Sequence, residues 1–340
     1  MVFSLILLTI APLNAQNSNN LNIPCFVYHR FGDNRYPSTN ISVEDFQKHL
    51  DYLSENNFNV ITLGKAVELL ENKSTIAEKT VVLTIDDGYK SFLVNGMPLL
   101  RKYGFKATLF VNTNASGSDL LNWQEIIKLK NEGIEIGNHS HAHPYFVNNK
   151  KELILSEFRI DLEKSQQIFK EKMGYSPNLY AYPYGEYTIE MKDELQRFGF
   201  RAATAQNSGV ISKYSDLYAL PRFPSAGIYS SLEKFIEKAN MGALPVNSVD
   251  AIEPIINGNN PPTLLLQLDN PELINTYSLG CFVGGSKKCS IEYDNETKMI
   301  TVKANQLLKT RRTLYTITAK SAKTGKWYWY SFLWIIPKAK

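Results

Sequence analysis

Between residues 22 and about 240, short apolar runs alternate with amphipathic stretches, a pattern that restricts this part of the chain to repeated strand–helix units. The runs that read as strands are 23–28, 59–62, 80–85, 106–111, 134–136, 179–182 and 202–204, with 217–220 as a candidate eighth. Helices fill the gaps. Ser42 followed by Asp45 resembles a capping box, Gly104 is placed to close a helix carrying Leu99, Leu100 and Tyr103, and 150–172 repeats apolar residues at helical spacing up to Gly174. An α/β fold follows, and within that class a distorted (β/α) barrel of seven or eight strands is predicted over an open sheet. The reason is that His29, Asp86 with Asp87, His139 and Tyr184 each fall just beyond a strand. In a barrel the C-terminal strand ends converge on one site.

The 340 residues exceed what one core usually fills. Composition shifts to Asn, Gly and Pro near 247–262, so the predicted organisation is a barrel over 16–240, a linker over 241–262 and a β-rich, sandwich-like domain over 263–340. Its strand-like runs are 263–268, 289–293, 299–303, 313–319 and 326–336. In the last run, alternation puts Trp327 and Trp329 on one face and Tyr328, Tyr330, Phe332 and Trp334 on the other. We read both faces as packing surface, with contact to a cell surface or polymer as the alternative. A net charge of +4 is too small to argue for nucleic acid, although 241–340 carries 12 Lys/Arg against 7 Asp/Glu.

Residues 1–15 form an apolar run too short to span a bilayer and end in a small residue, as a signal peptide does, although no Lys or Arg precedes Arg30. The expectation is export to the periplasm, cell surface or medium, with a plain anchor as the alternative. Nothing later reaches transmembrane length. Cys281 and Cys289 fit a hairpin-closing disulfide, in keeping with export, and Cys25 is left as a buried thiol.

Two clusters carry the chemistry. Asp86 and Asp87 close the run 80–85 and cannot point the same way along a strand, so one carboxylate can bind a metal while the other stays free as a base. Only five histidines occur, and His139, His141 and His143 sit within five residues. As a strand all three would face one way; as a turn or loop His139 and His143 would pair, with His141 aside. His49 falls mid-helix, away from this chemistry. Carboxylate and imidazole suit zinc, and cobalt or nickel remain open.

The segments Thr84-Ile85-Asp86-Asp87-Gly88, His139-Ser140-His141-Ala142-His143-Pro144 and Ala181-Tyr182-Pro183-Tyr184-Gly185 together resemble the motifs of the polysaccharide deacetylase (NodB-like) superfamily, carbohydrate esterase family four. The resemblance covers roughly residues 22–225. It implies a metal-dependent hydrolase that removes N-acetyl groups from an amino-sugar polysaccharide such as β-linked N-acetylglucosamine. It also implies Asp86 as base, Asp87, His139 and His143 as ligands of one divalent ion, and the Tyr184 backbone N–H as oxyanion donor. Two departures stand out. Ala181 replaces the family's Arg, and no His follows His143 to serve as the usual acid. The pattern is similar to poly-N-acetylglucosamine deacetylases of biofilm systems, which share a Tyr28-His29 type motif and a Leu220-Pro221-Arg222 type segment. On that resemblance His29 is assigned as acid and Arg222 as substitute brace. The alternatives are a related hydrolase acting on peptidoglycan, an O-acetyl ester or a small amide, and a degenerate protein that only binds glycans.

Overall fold

Seven parallel strands, Ile23–Tyr28 (β1), Asn59–Ile61 (β2), Thr80–Ile85 (β3), Thr108–Val111 (β4), Glu135–Asn138 (β5), Leu179–Ala181 (β6) and Ala202–Thr204 (β7), form one curled sheet with helices outside it. The computed structural model describes residues 22–114, 117–248, 252–284 and 287–338; the predicted signal peptide at 1–15 and part of the predicted linker, 249–251, lie outside the described residues. Every residue of β1, β3 and β4 is buried, which explains why these strands read as continuous apolar runs without alternation. β3 is central, with β1 on one side and β2 and then β4 on the other; β5, β6 and β7 follow in order.

Closure differs from the expected eighth strand at 217–220. That segment contributes a single parallel bridge, Leu220 to Thr204, and the two-residue strand Phe223–Pro224 then runs parallel to β1. Pro221 cannot donate to a ladder, which interrupts pairing and leaves Arg222 between the two contacts. A short strand, Val210–Ile211, pairs antiparallel with β1.

The helices begin and end largely where local chemistry requires. Ser42 accepts from the Asp45 N–H at 2.9 Å, and the reciprocal capping box is instead at Asn122 and Glu125. Gly104 ends Met97–Tyr103 with φ of 66°, and Gly174 ends the long helix Lys151–Met173. His49 is a core residue on the helix Val43–Glu55. It accepts from the Tyr28 hydroxyl at Nδ1 (3.0 Å), donates from Nε2 to the Ser230 carbonyl (2.9 Å) and stacks on Phe235.

The C-terminal strands form two sheets. One contains Gly242–Ala243, Trp327–Ile335, Arg312–Ser321, Ile274–Val283 and Lys287–Lys288; the other contains Val246–Ser248, Thr263–Leu268, Met299–Lys303 and Ser290–Asp294. Leu264, Leu266, Ile300 and Val302 share one core with Tyr315, Ile317, Phe332 and Trp334, so the sheets pack face to face. Strands begin inside the predicted linker because Leu244 and Val246 have an apolar core to enter. The sequence pattern missed Ile274–Val283, whose mostly half-exposed or exposed residues and register shift between Asn275 and Gly280 erase its alternation. Cys281 and Cys289 are disulfide-bonded. Trp329 packs edge-on against Phe223 and donates to the Ser208 carbonyl, tying the aromatic strand to the barrel. Among the described residues no helix is long and apolar enough to cross a membrane.

Burial lowers the His49 pKa from 6.5 to about 4, against a smaller opposing effect of the Ser230 carbonyl. The unfolded chain therefore takes up a proton that the folded one refuses, and stability present above pH 6.5 is lost as the pH falls towards 4. Thermal unfolding should show this loss in the wild type and a shallower one in His49→Gln; identical slopes would contradict it. Burial also pushes the Cys25 thiol up to about 12. A thiol reagent at pH 8 should label Cys25 only as fast as the chain opens.

Candidate active site

Asp86 continues β3, its N–H donating to the Tyr28 carbonyl, and its buried carboxylate meets Arg222 in a bidentate pair at 2.7 and 2.8 Å. Arg222 is itself fully buried and spends its other donors on the Thr84 hydroxyl (3.1 Å) and the Ala205 carbonyl (3.1 Å). Burial alone would raise the Asp86 pKa. The Arg222 guanidinium, helped by His139 and His29, outweighs it and holds the carboxyl below its usual range. His29 Nε2 stands 4.0 Å from Asp86 Oδ2, beyond hydrogen-bonding distance, and its buried Nδ1 has no partner among the described residues.

Asp87 adopts φ of 72° and Gly88 φ of 73°, so the chain turns sharply after Asp86 and sends the second carboxylate elsewhere. Asp87 Oδ1 lies 3.3 Å from His139 Nε2 and 3.4 Å from His143 Nε2, and the two imidazole nitrogens are 3.1 Å apart. A tetrahedral ion with bonds of ~2.0–2.1 Å separates its ligand atoms by about 3.3 Å, so these spacings fit a single small divalent cation. Tautomers fit as well. His139 Nδ1 faces the Ala181 carbonyl at 2.7 Å and must carry the hydrogen, which leaves the Nε2 lone pair aimed at Asp87 and His143. Burial is the largest of the effects that lower the His143 pKa to about 4, which keeps its ring neutral near neutral pH. Against the effect of its burial, the carboxylates of Asp87 and Asp86 raise the His139 pKa.

The His segment is a loop whose shape brings His139 and His143 together. Ser140 and His143 both have positive φ (73° and 50°). Asn138 caps the Ser140 N–H, Ser140 accepts from the His143 N–H, and Asp161 accepts from the N–H groups of His141 and Ala142. His141 is turned away to the Thr113 hydroxyl at 2.9 Å. Sequence reasoning missed Asp161; its signal was a carboxylate between Phe158, Leu162 and Ser165 on the buried stripe of a helix.

Tyr184 has φ of 59° in a turn closed by Gly185 N–H to the Tyr182 carbonyl (2.8 Å) and Glu186 N–H to the Pro183 carbonyl (3.2 Å). Gly185 is required twice over: its φ is 70°, and a Cβ there would meet the Gln206 backbone nitrogen at 2.5 Å. The Tyr184 ring stacks on Tyr145 and meets His143 edge-on. Of eight non-glycine residues with positive φ among the described residues, four (Asp87, Ser140, His143 and Tyr184) lie in these three segments. Such conformations cost roughly 1–3 kcal/mol each and persist where surrounding bonds impose them.

A parallel barrel that gathers an Asp-His-His group able to hold a metal ion beside an arginine-paired Asp at its strand ends is an arrangement suited to metal-assisted hydrolysis. A profile of the polysaccharide deacetylase family matches residues 73–203. The chain carries a polysaccharide deacetylase domain, of a family of hydrolases that act on N-acetyl groups of polysaccharides. It is 24% identical over 208 residues to poly-beta-1,6-N-acetyl-D-glucosamine N-deacetylase of Staphylococcus aureus, covering 58% of this chain and 71% of that protein. Among solved structures, the Streptococcus pyogenes deacetylase PplD in complex with acetate superposes with a TM-score of 0.59 at 20% identity, covering 65% of this chain and 99% of that one. IcaB from Ammonifex degensii gives 0.56 at 24% identity, covering 64% and 95%. At these identities the two structures establish a shared fold.

Removing Arg222 strands a buried carboxylate. Arg222→Leu should cost about 3–5 kcal/mol in denaturant unfolding, and adding Asp86→Asn should recover part of that. Strictly additive costs in the double variant would contradict the pairing.

Proposed function

We propose that this protein is an exported, metal-dependent N-deacetylase of an amino-sugar polymer, with β-linked N-acetylglucosamine as substrate and zinc as the ion. The observation that carries the reading is the convergence of Asp87 Oδ1, His139 Nε2 and His143 Nε2 within 3.1–3.4 Å of one another beside the arginine-paired Asp86. The named activity of the Staphylococcus aureus relative supports the choice of polymer. Export is supported by the character of residues 1–15 and by the Cys281–Cys289 disulfide. The barrel does the chemistry in this reading, and the β-rich C-terminal unit, whose first strands fall within 241–262, packs beside it.

A divalent cation held by Asp87, His139 and His143 would polarise the acetyl carbonyl and make a water molecule acidic enough to lose its proton near neutral pH. Asp86 takes that proton as the water oxygen adds to the carbonyl carbon. Its bidentate contact with Arg222 keeps the carboxylate ionised and aimed before the reaction. The Tyr184 N–H donates to the carbonyl oxygen as it gains negative charge, an interaction of the kind typically worth ~3 kcal/mol. His29 gives a proton to the nitrogen as the C–N bond breaks, and acetate and the free amine leave. His29 is the remaining histidine in reach, 4.0 Å from Asp86 and, among the described residues, without a competing bond at Nδ1.

Acetate release from a panel of N-acetylglucosamine oligomers should be abolished by chelation and restored by returning zinc; release that survives chelation would sink the reading. His139→Ala and His143→Ala should each lower bound metal sharply, whereas His141→Ala should not. His29→Ala should keep metal and lower turnover, by 10²- to 10⁴-fold as is typical for loss of a general acid. Full activity in that variant would remove His29 from the mechanism.

A further inference from the structure

Two adjacent arginines of the C-terminal β unit, Arg311 and Arg312 at the start of the strand Arg312–Ser321, reach the turn that carries Tyr184. Arg311 clamps the buried Glu186 carboxylate through Nε (2.7 Å) and Nη2 (2.5 Å) and donates from Nη1 to Asn148 Oδ1 (2.6 Å). Its guanidinium also covers the Tyr145 ring at 4.3 Å, and that ring stacks on Tyr184 at 3.5 Å. Arg312 donates from Nη1 to the Tyr184 carbonyl (2.8 Å) and to Gln206 Oε1 (3.2 Å).

These contacts act on the two peptide planes that fix Tyr184. The plane carrying the Tyr184 N–H also carries the Pro183 carbonyl, which the Glu186 N–H holds, and Glu186 is anchored by Arg311. The next plane carries the Tyr184 carbonyl, held by Arg312. A non-glycine residue at φ of 59° relaxes by rotating one of these planes, and that rotation turns the N–H away. Both rotations are opposed by side chains more than 120 residues away in sequence.

We infer that the C-terminal β unit is a working part of the catalytic groove, with Arg312 as a positioning residue that holds the Tyr184 turn and Arg311 as its support. The catalytic consequence rests on the proposed deacetylase activity; the brace itself does not. Arg312 is the residue to test, because it is 39% exposed and its loss leaves Glu186 paired with Arg311, so the fold should survive.

The experiment uses the full zinc-loaded chain, with Arg312→Gln, Arg312→Lys and Lys309→Gln as a nearby charge control. Amide hydrogen exchange over 182–188 is measured together with kcat, KM and metal content. In Arg312→Gln the turn should exchange about tenfold faster or more. Its kcat should fall about 10- to 100-fold, while KM and metal content stay near wild type. Arg312→Lys, which can still donate to the carbonyl, should recover part of both, and Lys309→Gln should change neither. Wild-type exchange in Arg312→Gln overturns the inference, whether kcat is unchanged or falls; in the latter case Arg312 acts on substrate directly. Faster exchange in a protein whose wild type releases no acetate upholds the brace and rejects the deacetylase reading.

Discussion

The buried pair between Arg222 and Asp86 organises everything around it. Two charges out of water are tolerable only when their hydrogen bonds are fully met, and Arg222 meets them by reaching Asp86, Thr84 and Ala205 from the short segment that closes the barrel. Closure of the sheet and orientation of the carboxylate are therefore one event. Once Asp86 is committed to Arg222, the turn at Asp87 and Gly88 must carry the next carboxylate away, towards the loop that presents His139 and His143.

That division of labour between neighbouring carboxylates depends on strained backbone. Asp87, Ser140, His143 and Tyr184 all sit where non-glycine residues are uncommon, and side chains from other parts of the chain help hold the His loop and the Tyr184 turn. Asp161 holds the His loop from a helix, and Arg311 and Arg312 hold the Tyr184 turn from the C-terminal sheet. The rigid barrel sets where the strands end, but the loops gain their shapes from polar side chains that are distant in sequence.

This separation explains what the sequence made legible. Strands β1 and β3 could be read because a strand buried on both faces must be apolar throughout, and the motif residues could be read because they stop those runs abruptly. The pairing of His139 with His143 stayed open until the loop geometry was known, since it depends on positive φ at Ser140 and His143. The strand Ile274–Val283 and the reach of Arg311 and Arg312 left no local trace: the first is a broken, half-exposed strand, and the second is a pair of ordinary surface-type residues whose partners lie in another part of the chain. The aromatic strand Trp327–Ile335 was legible as packing, but its contacts to Ser208 and Phe223 on the barrel were not.

The proposed chemistry depends on one divalent cation held by Asp87, His139 and His143. X-ray absorption at the metal edge, on zinc-loaded protein with the stoichiometry measured in the same sample, tests it most directly. One ion per chain is expected, with two imidazole nitrogens and light oxygen donors at about 2.0–2.2 Å. Zinc that fails to bind stoichiometrically, or that binds with sulfur or a single imidazole in its shell, would contradict it.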